Sequence, residues 1–221
     1  MRSDICSIPV EEVFEPKEGC PICRMRNMLE QRMAEYITGA AMMEPEVRKV
    51  TNQKGFCLRH YKMILSRHNR LSVALMLESH LKEIEKTVKS PISKPVVHTC
   101  FVCDEVKRNM ESLISNTLKK YESDMEFRHL FDKQETLCLP HFHELTAAAD
   151  KKMGRRFRGE FKTAARKMTL HSLAELHSDV KHFCDMFDYR NSGENADWGN
   201  SRDSLERAVD FLTSFHPEEK M

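Results

Sequence analysis

The sequence has few of the residues that interrupt helices. Its 221 residues include 7 glycines, 8 prolines and one tryptophan. Leu, Met, Glu, Lys and Arg are abundant instead, and these residues favour helices. A hydrophobic content of 40% is sufficient for a buried core. We therefore expect an all-α fold.

Net charge and long apolar runs are also lacking. The 35 Lys and Arg residues nearly balance the 34 Asp and Glu residues, so no global field draws the chain to nucleic acid or to an anionic membrane. No stretch approaches the roughly 20 apolar residues that span a bilayer, and the N-terminus has no apolar run of signal-peptide length. We expect a cytoplasmic protein that does not bind membranes.

Catalytic patterns are missing as well. The sequence has no glycine-rich phosphate loop, no Ser-His-Asp arrangement and no convincing pair of carboxylates. No catalytic residue can be named, and whether the protein is an enzyme stays open, with the sequence favouring a non-enzyme.

Cysteine and histidine, by contrast, form a repeated pattern. A C-x-x-C motif is followed after 33 residues by C-x-x-H, and the same order recurs with 34 residues between the motifs. In a reducing compartment such cysteines are metal ligands more often than disulfides. Three thiolates and one imidazole complete the tetrahedral shell of structural zinc. We predict two zinc ions, one bound by Cys20, Cys23, Cys57 and His60 and the other by Cys100, Cys103, Cys138 and His141.

The filled ligand sets favour a structural role, because a catalytic zinc usually keeps one position for water. An iron-sulfur cluster is the alternative cofactor, since cysteine-rich sets with one histidine also bind clusters. The corresponding alternative function is a metal-dependent redox enzyme.

The two ligand sets mark a tandem duplication. Aligning Cys20 with Cys100 gives an offset of 80 residues, and aligning Cys57 with Cys138 gives 81. The segment 90–95 contains two prolines and no helical pattern, which indicates a boundary. We predict a first metal-binding helical module over 1–90, a second over 96–188, and a C-terminal tail over 189–221 with one helix that packs on the body.

Apolar periodicity places the helices. We expect each half-site to open a helix, a short helix over about 45–52, a break near 68–70, and further helices over about 170–188 and 201–215. Trp198 is a candidate anchor for the tail. Apolar stripes predict the buried faces of the two long helices that follow the C-x-x-H motifs: Ala74, Leu77, Leu81, Ile84 and Val88 in the first copy, and Phe157, Phe161, Ala164 and Met168 in the second.

Three weaker candidates remain. His177 and Cys184 share an apolar stripe, where a core histidine and a buried thiol are the simplest interpretation. His143 is either exposed or an outer-shell partner of a metal ligand. The basic stripe, defined as Arg155, Arg158, Lys162 and Arg166, is either a solvated face or a nucleic-acid contact within 155–167. Aromatic residues are not interleaved with it, which disfavours stacking on single strands.

The motifs Gly19-Cys20-Pro21-Ile22-Cys23, Gly55-Phe56-Cys57 with His60, and Cys138-Leu139-Pro140-His141 resemble those of a bacterial zinc-binding family known only as a domain of unknown function. The tail strings 187–190 and 198–200 are similar to the C-terminal signature of that family. The resemblance covers essentially the whole chain, although His98-Thr99 replaces the glycine-containing lead before Cys100. It implies no activity. We expect an interaction or regulatory module with a protein partner.

Overall fold

A computed structural model describes residues 9–90, 99–188 and 197–217. These residues contain ten α-helices and no strand, which confirms the all-α prediction. The helices are α1 (Val10–Phe14), α2 (Pro21–Thr38), α3 (Pro45–Lys54), α4 (Leu58–Leu65), α5 (Arg70–Lys89), α6 (Phe101–Ser123), α7 (Met125–Asp132), α8 (Leu139–Lys152), α9 (Arg155–Asp185) and α10 (Ser204–Thr213). None of these helices is long and apolar enough to cross a membrane.

The helix limits follow from local chemistry. Pro45 occupies the first turn of α3, where its missing N–H costs nothing. The break before α5 lies where the sequence predicts it, because the Asn69 side chain caps the helix by accepting a hydrogen bond from the Ser72 N–H at 3.3 Å. Asp124 caps α7 in the same way through the Glu126 N–H at 2.9 Å.

The described residues form two compact units. The first unit contains 26–90 and 99–111, and the second contains 9–25, 112–188 and 197–217. Each unit therefore combines residues from both sequence copies. The limits between units fall inside α2 and α6.

An aromatic cluster forms the core of the second unit. Phe14 from α1 packs edge-on against Phe127 from α7 at 5.1 Å between ring centroids, and Tyr121 contacts both Phe131 and Phe161 at 5.3 and 5.0 Å. All five rings are almost fully buried. The buried Gln134 side chain also donates to the Phe14 carbonyl at 2.6 Å. Residues just before the first C-x-x-C motif thus belong to a core built from the second copy.

In the first unit, α5 packs against α3 through a face that includes Val73, Met76 and His80. The His80 Nδ1 lies 2.6 Å from the Asn52 carbonyl oxygen of α3. The predicted buried stripe on α5 is wrong, because Leu81 is 61% exposed and Val88 is 72% exposed. The buried face lies one position earlier along the helix.

The tail packs on the body, within the second unit. Trp198 contacts Phe183 and Phe187 at 5.7 and 6.1 Å between ring centroids, in agreement with its expected role as an anchor. The Arg207 guanidinium of α10 donates to the Asp179 carboxylate of α9 at 2.9 Å. Phe211 is buried on the same helix.

Candidate metal centres

The structure gathers the eight predicted ligands into two groups of four, but it pairs the half-sites across the copies. Site A consists of Cys20, Cys23, Cys138 and His141. Site B consists of Cys57, His60, Cys100 and Cys103. The predicted pairing within each copy is therefore wrong. The physical reason is that each C-x-x-C begins a helix whose first residues pack in the unit that holds the C-x-x-H motif of the other copy.

Helix starts position the ligands as predicted. Cys57 and Cys138 immediately precede α4 and α8, and Cys20 and Cys100 immediately precede α2 and α6. A spacing of three residues then brings the second ligand of each motif back to the same side of the first turn. Partial positive charge at these helix ends favours thiolates.

A backbone contact joins the two halves of site B. The Phe101 N–H, next to Cys100, donates to the Gly55 carbonyl oxygen at 3.0 Å, two residues before Cys57. Gly55 has a φ of 64°, a left-handed conformation that glycine adopts without strain. The residue of site A that corresponds to Phe101 is Pro21, which has no N–H to donate.

All four ligands of site A are buried. The His141 Nδ1 lies 3.5 Å from the Cys20 sulfur, 3.3 Å from the Cys23 sulfur and 3.1 Å from the Cys138 sulfur. The Cys23 and Cys138 sulfurs are 3.6 Å apart. Ser214, beyond α10, is also buried and places its Oγ 3.7 Å from the Cys138 sulfur. The tail therefore covers this site.

Site B has the same internal geometry and more exposure. The His60 Nδ1 lies 3.1 Å from the Cys57 sulfur, 3.2 Å from that of Cys100 and 3.5 Å from that of Cys103. The Cys57 and Cys103 sulfurs are 3.9 Å apart. Both of these cysteines are partly exposed, whereas Cys100 and His60 are buried. Leu58, which follows Cys57, is 71% exposed.

These separations fit one tetrahedral ion in each site. Metal–sulfur bonds of about 2.3 Å and metal–nitrogen bonds of about 2.0 Å give tetrahedral edges of roughly 3.5 to 3.8 Å. The four separations given above for each site, 3.1 to 3.9 Å, lie close to these values. In each group the ligand atoms all lie within 4.8 Å of one another. In both sites the imidazole presents Nδ1 to the sulfurs.

In site B without a cation, burial and the charge of one thiolate oppose ionisation of a second thiol. Burial, together with the negative charge of Cys100, raises the pKa of Cys103 to about 12. Burial alone would raise the pKa of Cys100, but hydrogen bonds from His60 and from backbone N–H groups lower it to about 6. Burial likewise opposes protonation of His60, yet the hydrogen bond to Cys100 and the nearby Glu30 carboxylate raise its pKa to about 10.

Site A shows the same conflict. Burial and the neighbouring Cys138 raise the pKa of Cys20 well above its ordinary value. Hydrogen bonds from Cys20 and Cys23 lower the pKa of Cys138. Burial lowers the pKa of His141, but hydrogen bonds to Cys138 and Cys23 outweigh it and raise the value to about 9. In each site, ionisation of one cysteine is favoured and ionisation of another is opposed. A bound dication would allow all three cysteines to ionise.

Sequence reasoning missed the outer partners of the two histidines. At site B the buried Glu30 carboxylate lies 3.7 Å from the His60 Nε2 and accepts a hydrogen bond from Arg59 at 2.8 Å. At site A the exposed Glu144 lies 4.0 Å from the His141 Nε2. Glu30 follows the core residue Leu29 on α2 and lies one helical turn before Met33 and Ala34. A charged residue on this apolar face is the signal that the sequence offers.

The weaker candidates lie outside both sites. His143 is exposed, as one of its two interpretations predicts. His177 and Cys184 are exposed too, so their interpretation as core residues is wrong. On this part of α9 the buried residues are Thr169 and Ser172. They lie one position before Leu170 and Leu173, which belong to the same apolar stripe as His177 and are exposed.

The basic stripe is partly engaged within its own unit. Lys162 forms an ion pair with Asp150 at 2.8 Å, and the half-buried Arg158 donates to the Met153 carbonyl. Arg155 and Arg166 are exposed. The carboxylate of Glu122 accepts a hydrogen bond from the Gly154 N–H at the start of α9, at 2.6 Å. Nucleic-acid binding by this stripe stays a prediction.

Comparison with known proteins gives one match. The model of a family of unknown function, DUF6062, matches the chain in two segments, residues 1–97 and 92–219. No curated protein matches, and no solved structure matches.

Proposed function

Because the chain belongs to DUF6062, a family of unknown function, we propose its function from the two sites: each binds one zinc ion, and the ions hold together a helical module that serves protein interaction. The observation that carries the metal assignment is that the four ligand atoms of each site lie within 4.8 Å of one another, close to the corners of a tetrahedron sized for one ion. Both sites are closed sets of protein ligands, which supports a structural role.

A single ion is favoured over an iron-sulfur cluster by the spacing. The protein ligands of a cluster are distributed over two or four iron atoms, so ligand atoms on different irons must stand further apart than those around one ion. Ligand atoms that all lie within 4.8 Å of one another leave room for one centre. Among single ions, three thiolates and one imidazole suit zinc best in a protein.

Metal analysis of the purified chain tests the proposal. We expect two zinc ions per chain and a tetrahedral sulfur-rich spectrum after cobalt substitution. Removal of the ions with a chelator should reduce helicity, because each ion joins helix starts that are distant in sequence. Folded protein with less than one metal ion per chain contradicts the proposal. A brown protein containing iron and labile sulfide supports the cluster alternative instead.

The interaction part of the proposal rests on the outward face of α5. Ala74, Leu77, Leu81, Ile84 and Val88 keep a 3-4-3-4 spacing, which is the seam of a coiled coil. Leu81 and Val88 are largely exposed. Glu78 and Glu85 flank the seam at positions that face a partner helix. The partner that fits is an amphipathic helix with basic residues beside its apolar stripe.

Two synthetic helices test this surface. A peptide with a leucine seam and flanking lysines should bind the zinc-loaded chain more tightly than the same peptide with flanking glutamates. Leu81→Glu with Val88→Glu should abolish binding while zinc content and helicity stay unchanged. Equal binding of both peptides, or self-association of the chain through α5 in sedimentation, contradicts the assignment.

A further inference from the structure

The two sites differ in exposure although their ligands are identical in kind. Site A is covered by the tail, where the buried Ser214 lies 3.7 Å from the Cys138 sulfur. In site B, Cys57 and Cys103 are partly exposed, and they come from opposite half-sites.

We infer that Cys57 and Cys103 are a site of oxidative modification, at which a peroxide forms a disulfide and expels the zinc ion of site B. This inference rests on the proposed zinc binding. The two sulfurs are 3.9 Å apart and partly exposed, so an oxidant can reach one thiolate while the other stands beside it. Reactive cysteines occur in such partly exposed positions, whereas buried ones are inert.

The reaction is balanced with one peroxide molecule. The thiolate of Cys57 attacks a peroxide oxygen, so an S–O bond forms, the O–O bond breaks and a hydroxide leaves. The thiolate of Cys103 then attacks the sulfenic sulfur, so the S–S bond forms, the S–O bond breaks and a second hydroxide leaves. The two thiolates lose two electrons and the peroxide gains them. Only Cys100 and His60 would then remain to hold the zinc ion, so the ion would dissociate.

Site A supplies an internal control. Its Cys23 and Cys138 sulfurs are 3.6 Å apart, slightly closer than the pair in site B, but both are buried. If proximity alone decided reactivity, site A would oxidise at least as fast. If access decides, site B oxidises first.

The test uses the full chain with both zinc ions bound and with Cys6→Ser and Cys184→Ser, so that the six ligand cysteines are the only cysteines left. Hydrogen peroxide is added while a chromophoric chelator reports released zinc, and mass spectrometry maps disulfides. We expect the first zinc ion to leave at least about tenfold faster than the second, with a disulfide between Cys57 and Cys103. A reductant and zinc should restore the starting state.

Matched variants separate the mechanism from misfolding. Cys103→His and Cys23→His each convert one site into two cysteines and two histidines, a set that still binds zinc. Cys103→His should remove the fast phase of zinc release, and Cys23→His should leave it unchanged. Phe211→Ala loosens the tail and should accelerate release from site A.

Equal release rates for the two ions, or a first disulfide that includes Cys20, Cys23 or Cys138, overturn the inference. A chain that holds two zinc ions and releases neither also overturns it, but leaves the proposed function standing. A chain that binds no zinc fails earlier, at the proposed function itself.

Discussion

Glu30 places its carboxylate 3.7 Å from the Nε2 of His60, on the side of the ring opposite the Nδ1 that faces the three sulfurs. Its side chain is 3% exposed, and Arg59 holds it by an ion pair at 2.8 Å. A carboxylate in this position fixes the tautomer and orientation of a metal-ligating imidazole. Glu30 is thus placed to orient the His60 imidazole as a ligand of the proposed ion.

Glu30→Gln should weaken zinc binding at site B by about 10- to 100-fold, because the amide orients the imidazole less well and leaves Arg59 without its carboxylate. Competition with a chelator of known affinity measures the effect on each ion separately. Glu144→Gln is the matched control at site A, where the carboxylate is exposed and 4.0 Å from the His141 Nε2; it should change affinity by much less. Equal losses in the two variants contradict the role of Glu30.

The cross-copy pairing makes a sharp prediction for double variants. Cys57→Ser with Cys100→Ser removes two ligands of site B only, so one zinc ion per chain should remain in site A. Cys20→Ser with Cys57→Ser damages both sites, so both ions should be lost or greatly weakened. Pairing within copies predicts the reverse result for the two variants. Elemental analysis of the purified proteins decides between them.

The sequence identified all eight ligands but could not pair them. Pairing within copies and pairing across copies both give three cysteines and one histidine at each ion. The lengths of the loops that the two pairings close differ too little in entropy to decide between them. Pairing within copies closes loops of about 34 residues, whereas the observed pairing joins Cys23 to Cys138 and His60 to Cys100, 115 and 40 positions apart. The extra loop-closure entropy is only about 1 kcal/mol. Packing of the flanking helices, such as the contact of Phe14 with Phe127, decides the outcome.

The buried face of α5 could have been found from the sequence. The offset of 81 residues maps Met76 and His80 onto Phe157 and Phe161. In the predicted second-copy stripe, Phe161 and Met168 are buried, and Phe157 and Ala164 are half-buried. Periodicity in the first copy alone favoured Leu81 and Val88, because they are more apolar than His80. His80, which is hydrogen-bonded to the Asn52 carbonyl oxygen, fills a core position that a hydropathy pattern assigns to the surface.

Zinc binding at site B should strengthen as pH rises, and the shifted pKa values set the slope. In the folded chain without metal, His60 with a pKa of about 10 and Cys103 with a pKa of about 12 both carry protons at pH 8. Binding must release these two protons, so affinity should rise about 100-fold per pH unit from them alone. Cys100, with a pKa of about 6, is already ionised at pH 8 and adds a further proton only below about pH 6. Calorimetry in buffers of different protonation enthalpy counts the released protons, and a count below two contradicts the values.

Each compact unit contains segments from both copies. Cutting the chain between the copies should therefore leave the two fragments associated while metal is bound. A protease site inserted after Ser90 allows the folded, zinc-loaded chain to be cut once. The two fragments should then elute together on size exclusion, because site A and site B each take two ligands from each fragment. A chelator should weaken this association, since it removes ions that each bind two ligands from one fragment and two from the other. Fragments that elute separately with one zinc ion each would instead show that a copy completes its own site. The same cut made in the Cys20→Ser, Cys100→Ser variant supplies the control, because each site then lacks one cysteine and the fragments should separate at a lower chelator concentration.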